Sequence, residues 1–582
     1  MRYKISFSNP STQYIQIECQ QVDIQADELI FCLPAWRPGR YELGNFAKNI
    51  KDLSFLDENG QKLCFDKVTK ESWKVYCQGR KTVTAKYLFY ANILNAGSTW
   101  LDDTQIYVNP VNCLMYLNDG LDEACDLKLN IPENWQVCTG MVEKEHHVFR
   151  VSSYHKLADS PFIASNNVQR NGLENRGVKF EFCFVGECKI NWHKVKEDLN
   201  KIISHQLDMM GEFPTDRYKF LFQILPYSMY HGVEHLTSTV IALGPSYELM
   251  KPELYNEFLG ISSHELFHVW NIKTIRPVEM QPYNYDSPNY AETGFVYEGA
   301  TTYYGDLFLA RCGYFSEEEY FNELNIRINK HLSNEGRFNY SVAQSSFDTW
   351  LDGYVTGIPG RKTSIYDEGS LVSLILDFLI RKYSDGKNSL DDVFVELYNA
   401  FGKKKIGYTS ADYLRIASEK AGRSLETFFN DIVYNACSYQ SLLEEVLLFA
   451  GLALEEIPSK KYAEGYFGFK TNDSAAIPEV MNVATGSPAF ENGLAVGDLI
   501  IGVNGWKADK NYNVHINQIE GHQTSFLISR GSRIKTIEMM PTVKNYFSTW
   551  KVKHISEKNS AQEQFFNQWA KNLRTHYKQR SL

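Results

Sequence analysis

His264-Glu265-Leu266-Phe267-His268 begins the stretch HELFHVWNIKTIRP (264–277), and its reading decides what the middle of the chain is. On a helix, residues four apart share a face, so both imidazoles can reach one ion. Glu265 lies one position along, beside that ion, where a carboxylate can serve as the base of metal-assisted hydrolysis. Leu259, Leu266, Phe267, Val269 and Trp270 make this helix apolar enough to be buried. A catalytic zinc site takes three protein ligands and keeps one position open. Glu298, in GFVYEGATTYYGDLFLA (294–310), is the leading third ligand, on a segment that reads as a helix through Val296, Tyr303 and Leu307. Glu292 competes with it on sequence alone, and no third histidine follows at metzincin spacing.

Outward from this helix the period of the apolar residues marks the architecture. WHKVKEDLNKIISHQLDMMGEF (192–213) sets Val195, Leu199, Ile202, Ile203 and Leu207 on one helical stripe. Long helices are expected from Pro252 to about residue 449, and LVSLILDFLIRKY (371–383) is so apolar that it belongs inside the domain. The first 170 or so residues read instead as strands. IQIECQQVDIQ (15–25) and SWKVYCQ (72–78) alternate, and TVTAKYLFY (82–90) is β-branched and aromatic. A β-sandwich is expected there, with VKFEFCFVG (178–186) and YKFLFQIL (218–225) as candidates to extend it. From Gly465 to about Pro541, short strands alternate with glycine turns, and the tail carries one amphipathic helix with Phe565, Phe566, Trp569 and Leu573 on a face expected to dock on the body.

The chain of 582 residues is too long for one ordinary domain. Hydrophobic residues at 43% and charged residues at 22% exclude a disordered chain or a coiled-coil rod. A net charge of −10 argues against broad nucleic-acid binding, which needs lysine and arginine against phosphates. The most apolar run, Leu371 to Ile380, is too short to cross a membrane and contains Asp377. Eleven cysteines, an odd number without a CxxC pair, read as free buried thiols. With no apolar signal core in MRYKISFSNP, the expected compartment is the cytoplasm.

HELFHVWNIKTIRP followed by YEGATTYY (297–304) closely resembles the glycyl aminopeptidase family of PDZ-containing zinc metallopeptidases, gluzincins whose catalytic domain is related to aminopeptidase N and thermolysin. Three further stretches agree. LPAWRPGRYELGNFAKNI (33–50) is similar to the family's N-terminal signature around a Trp-x-Pro-Gly-x-Tyr turn. YHGVEHLTST (230–239) is similar to its Gly-Gly-Leu-Glu-His segment, and SIYDEGSLVSLILDFLIRK (364–382) to its Tyr-x-Lys-Gly helix start. The resemblance implies Zn2+ on His264, His268 and Glu298, with Glu265 as base. It implies that Glu234, with Gly232 in the same strand, holds the free α-amine of a peptide, since a carboxylate beside the metal pairs with an ammonium. It implies that Tyr366 steadies the oxyanion, with Tyr303 and Tyr304 as alternatives. The chain departs from the pattern at His231, where the family has glycine, and at Glu368, where it has lysine.

Tyr466-Phe467-Gly468-Phe469 resembles the carboxylate-binding loop of a PDZ domain, and SPAFENGLAVGDLIIGVNG (487–505) resembles its turn-rich core. Phe467, Gly468 and Phe469 are therefore the candidate residues for a peptide C-terminus. The expected fold is multidomain α+β: a β-sandwich at 1–170, a thermolysin-like, mostly helical peptidase domain at 171–455, a PDZ domain at 456–545 and a helical tail at 546–582. The expected function is a zinc aminopeptidase acting on peptides with a free N-terminus, favouring glycine or alanine. The rivals are an endopeptidase and a non-catalytic PDZ scaffold.

Overall fold

Alternation of apolar residues carries the first 165 residues into sheets. The computed structural model describes residues 1–571 and 573, apart from 356, 473, 475, 510, 519 and 520. A seven-stranded sheet has Arg2–Ser6 near its centre, between Cys125–Asn130 (parallel) and Tyr14–Val22 (antiparallel), and two four-stranded sheets complete this region. In Tyr14–Val22 the inward residues Ile15, Ile17 and Cys19 are all essentially buried, as a period of two requires. They join Trp36, Phe55, Trp73 and Tyr87 in one large core.

The strands at 178–186 and 218–225 do not extend that sandwich. They belong to a separate five-stranded sheet in the order Val168–Asn175, Val178–Val185, Arg217–Ile224, Ser238–Gly244, Met229–Glu234. The physical reason is the helix Trp192–Met210 between them: a parallel pair needs a crossover, and this helix supplies it. Val195, Leu199, Ile202, Ile203 and Leu207 are buried along one side of it, as their spacing requires. The strand Met229–Glu234 runs antiparallel to Ser238–Gly244 and forms the sheet edge. One face of this sheet meets the N-terminal strands through a buried cluster of Ala96, Tyr107, Cys138 and Ile163 with Cys183, Leu221, Val233 and Val240. The helix Pro252–Phe267 packs against Met229–Glu234 and Ser238–Gly244.

The helix Ile365–Tyr383 is buried almost all round, from Gly369 to Arg381. It crosses the turn Phe295–Ala300 at two glycines. A Cβ on Gly369 would stand 2.7 Å from the Phe295 carbonyl oxygen, and one on Gly299 would stand 2.8 Å from that of Ile365. Only glycine permits so close a crossing. Residues 1–320, 334–446 and 564 onward form one compact unit. Trp569, from the tail helix Ser560–Ala570, is fully buried in it and donates from Nε1 to the Tyr303 hydroxyl at 2.9 Å.

Residues 321–333 and 447–563 form the second unit. Its sheet runs Phe469–Asn472, Glu479–Val483, Leu499–Val503, Thr524–Arg530, Arg533–Met539, around a core of Phe467, Phe469, Val480, Ile500 and Phe526. A two-stranded ribbon, Leu452–Ile457 with Thr549–His554, closes the segment at its base. Among the described residues no helix is long and apolar enough to cross a membrane, all eleven cysteines are free thiols, and only Cys64 is exposed.

Candidate active site

The site begins with helical spacing. His264 and His268 leave the end of the helix Pro252–Phe267 on the same side, with their Nε2 atoms 3.0 Å apart. Glu298 arrives from the π-helical turn Phe295–Ala300, its Oε2 3.5 Å from His268 Nε2 and 3.9 Å from His264 Nε2. Glu292 is exposed and takes no part. In a tetrahedral zinc site with ordinary bond lengths the ligand atoms stand about 3.4 Å apart. Two imidazole nitrogens and a carboxylate oxygen converging at these separations are a donor set that fits Zn2+.

The ligands are held by second partners. His268 Nδ1 lies 2.9 Å from the Asn271 carbonyl oxygen, which makes Nδ1 the donor and leaves the Nε2 lone pair for the ion. The Asn271 side chain donates to the Val296 carbonyl at 2.8 Å and to Thr301 Oγ1 at 2.9 Å, stitching the histidine helix to the Glu298 turn. Glu298 Oε1 accepts a 2.8 Å hydrogen bond from the hydroxyl of Tyr41.

Glu265 and Glu234 face the same space. One oxygen of each, with a ring nitrogen of His268, lies within 4.8 Å of the others. Glu265 is 5% exposed and Glu234 is 4% exposed, yet Glu265 Oε2 and Glu234 Oε1 have no hydrogen-bond partner in the protein. Buried carboxylate oxygens left bare in this way are placed for something that is not protein. Gly232 belongs to the same face of the edge strand, and a Cβ there would run into the Glu265 carboxylate. His231, by the period of two, lies on the opposite face together with Val233, which packs against the N-terminal strands. Its departure from the family pattern therefore stays off the strand face that carries Glu234.

The electrostatics follow from burial. Burial holds the Glu265 carboxyl well above the ordinary carboxylate range; His268 opposes this, and Glu234 and Glu298 reinforce it. Burial works against a charge on His268, but Glu298, Glu234 and Glu265 together outweigh it and lift the imidazole to about 9, so a cation entering the site displaces a proton. Burial, with Glu298 and Tyr354 beside it, keeps the Tyr366 phenol protonated and thus a donor. Tyr366 shares a side-chain hydrogen bond with Tyr354. Tyr303 and Tyr304 bond instead to Asp377 at 2.7 Å and Asp391 at 2.9 Å, inside the helical core. Glu368, two residues beyond Tyr366, bonds to Tyr439 and is no part of the metal site.

Residues 2–166 match the Peptidase M61 N-terminal domain, and residues 257–372, which carry His264, Glu265, His268, Glu298 and Tyr366, match the M61 glycyl aminopeptidase domain. The chain carries an M61 N-terminal domain and an M61 glycyl aminopeptidase domain. It is accordingly a zinc metallo-aminopeptidase, as its donor set fits. Among solved structures it is similar to an aminopeptidase N family protein from Idiomarina loihiensis, with 27% identity and a TM-score of 0.89 over 98% of this chain and 99% of that one. It also resembles an M1 zinc metallopeptidase from Deinococcus radiodurans, with 11% identity and a TM-score of 0.48 over 75% of this chain and 94% of that one. No curated protein sequence matches it.

In this M61 chain the N-terminal domain reaches the catalytic centre, a contribution that reading the sequence did not assign. The turn Trp36–Tyr41 supplies Tyr41 to Glu298. It also sets Gly39, at φ +79°, so close to Glu234 that a Cβ would stand 2.5 Å from Oε2. The Tyr41 backbone N–H donates to the Tyr354 hydroxyl at 3.2 Å. The WRPGRY segment was the available signal, since a glycine and two aromatics beside a fixed turn mark a place where backbone must approach something closely.

Proposed function

We propose that the chain releases single residues from the free N-terminus of peptides, small residues such as glycine and alanine first, as the family's description suggests. The observation that carries this reading is that the carboxylates of Glu234 and Glu265 come within 4.8 Å of each other, each with one oxygen left without a partner among the described residues, and that Gly39 is closed against Glu234. In this reading a peptide lies along the edge strand Met229–Glu234 and its first residue stops at Glu234 and the Gly39 backbone. An endopeptidase would need the path to continue.

In this reading Glu234 receives the substrate ammonium and fixes the register, while the strand edge offers backbone hydrogen bonds. His264, His268 and Glu298 would hold zinc, which when bound would polarise the carbonyl as a Lewis acid and lower the pKa of water. Glu265 takes the proton from the attacking water and delivers it to the leaving amine. Tyr366 donates to the oxyanion as the carbonyl becomes tetrahedral. Tyr41 keeps Glu298 oriented throughout.

The second unit is read as a PDZ-type domain. Phe467 and Phe469 are buried in its core, so recognition of a peptide C-terminus would fall to backbone amides around Gly468, at φ +77°. The free thiols suit a reducing compartment, which supports a cytoplasmic location. The test of the catalytic reading is a pair of peptides identical except for an N-acetyl group. The free peptide should lose its first residue and the acetylated one should be a poor substrate; equal cleavage of both, at internal bonds, would select an endopeptidase.

A further inference from the structure

Behind the wall that carries Glu234 lies a second cavity, of about 770 Å3, separate in its lining from the metal ligands. Pro38, His235 and Lys273 are on its near side, next to Gly39, Glu234 and the His268 carbonyl, which accepts from the Lys273 N–H at 3.0 Å. The remaining walls come from the short helices Pro110–Cys113 and Tyr154–Ala158 with the loops beside them, from Pro214, and from the segments 273–285 and 398–405.

Its charge runs against that of the chain. Five cations, Lys156, Lys273, Arg276, Lys403 and Lys405, line it against two carboxylates, Asp122 and Asp159, in a protein of net charge −10. One of those carboxylates is already saturated: Asp159 accepts from Lys273 Nζ at 2.7 Å and from the Leu236 N–H at 2.9 Å, and it faces His235 Nδ1 at 3.2 Å. Lys403 is shared with Glu212 at 3.0 Å. Among the described residues the other three cations form no ion pair with a carboxylate. Arg276 bonds only to the backbone carbonyls of Ile272, Lys273 and Met280, its guanidinium lying 3.9 Å from the centre of the Tyr283 ring. Lys156 and Lys405 form no ion pair among the described residues. Lys156 is half-buried, and desolvation pushes its ammonium down by more than Asp159 nearby raises it, so a bound anion would relieve a cost that remains. A further group on this wall is unsatisfied: His235 is 4% exposed, and its Nε2 is buried with no hydrogen-bond partner among the described residues, free to accept from a hydroxyl of a bound ligand.

We infer that this cavity binds a small organic polyanion, a phosphate ester or a polycarboxylate, at a site distinct from the peptide cleft. The volume lies within the range of small-molecule sites and is far larger than one inorganic phosphate needs. Lys156, Arg276 and Lys405 supply charge-assisted donors, and His235 Nε2 offers a polar contact on the wall shared with Glu234.

Calorimetric titration of the zinc-loaded full-length protein with inorganic phosphate, AMP and citrate, at fixed ionic strength and with zinc content measured afterwards, tests this. At least one of the three should bind saturably at one site with a Kd below about 1 mM. Preference for AMP assigns a phosphate ester, and preference for citrate assigns a polycarboxylate. Lys156→Glu should weaken that binding by about tenfold or more, and Lys405→Glu, at an exposed position where folding is not at stake, should weaken it in the same direction. Neither residue belongs to the catalytic machinery, so hydrolysis of aminoacyl-amides should be unchanged in both. Absence of saturable binding by all three anions, or binding that survives both charge reversals, overturns the inference.

Discussion

Replacing Tyr41 by phenylalanine removes one oxygen from the protein and should loosen a metal ion held by residues far away in sequence. The hydroxyl donates a 2.8 Å hydrogen bond to Oε1 of Glu298, whose Oε2 faces His264 and His268. The phenol is held well above its ordinary pKa, by burial first and Glu298 second, so it stays a donor across the working range of pH. The ring itself is kept by the substitution, with its contacts to Tyr297 at 5.2 Å and Trp350 at 6.0 Å. What is lost is one hydrogen bond to a charged group, about 1.5–3 kcal/mol, which is about 10- to 100-fold in zinc affinity. Competition against a chromophoric chelator should show that loss. Circular dichroism and melting of the zinc-saturated protein should remain close to the parent, and activity at limiting zinc should fall more than at saturating zinc. A folded Tyr41→Phe protein that binds zinc as tightly as the parent would refute the argument that the N-terminal domain orients the ligand set.

Four other substitutions or deletions probe the remaining assignments. Glu265→Gln should keep its zinc and lose kcat by about 10²- to 10⁴-fold, checked by metal analysis beside steady-state rates. Glu234→Ala should raise KM for free-amine substrates by about tenfold or more and bring their rate towards that of acetylated peptides; an unchanged preference for the free amine would remove Glu234 from the amine site. Ile457 and Thr549 are paired across an antiparallel ribbon, so a two-residue turn can join them in place of residues 458–548. That protein, once shown to be folded and zinc-loaded, should hydrolyse aminoacyl-amides like the parent, and complete inactivity would mean that the excised module takes part in the chemistry. Cutting the chain at about 455 would be a poorer test, because Trp569 is fully buried and its carbonyl accepts from Arg311 Nε at 3.0 Å; Trp569→Ala should lower stability by about 3–5 kcal/mol, read by denaturant unfolding.

Legibility was high wherever a local period was enough. The stripe through Val195, Leu199 and Ile202 specified a helix, and Ile15, Ile17 and Cys19 specified a strand with one buried face. The tail helix showed its buried face through Phe566 and Trp569 in the same way. Strand partnership was not legible. Val178–Val185 and Arg217–Ile224 carry the same β-forming residues as the N-terminal strands, and only the crossover helix between them decides which sheet they join. The departures from the family pattern were also settled in space. His231 and Glu368 sit close in sequence to site residues but on the other side of their strand or helix.

The sequence by itself determined the donor types and their local geometry: two imidazoles four residues apart with a carboxylate between them, because helical spacing is a property of the chain over a single turn. It pointed to Glu298 as the third ligand, with Glu292 as the rival. Tertiary structure buries Glu298 beside both histidines and leaves Glu292 exposed. It also brought the glycines at 299 and 369 together and set Gly39 against Glu234. The bond from Tyr41 to Glu298 spans 257 residues of chain. No local period encodes such a contact, since it depends on the packing of whole sheets and helices that place distant turns side by side.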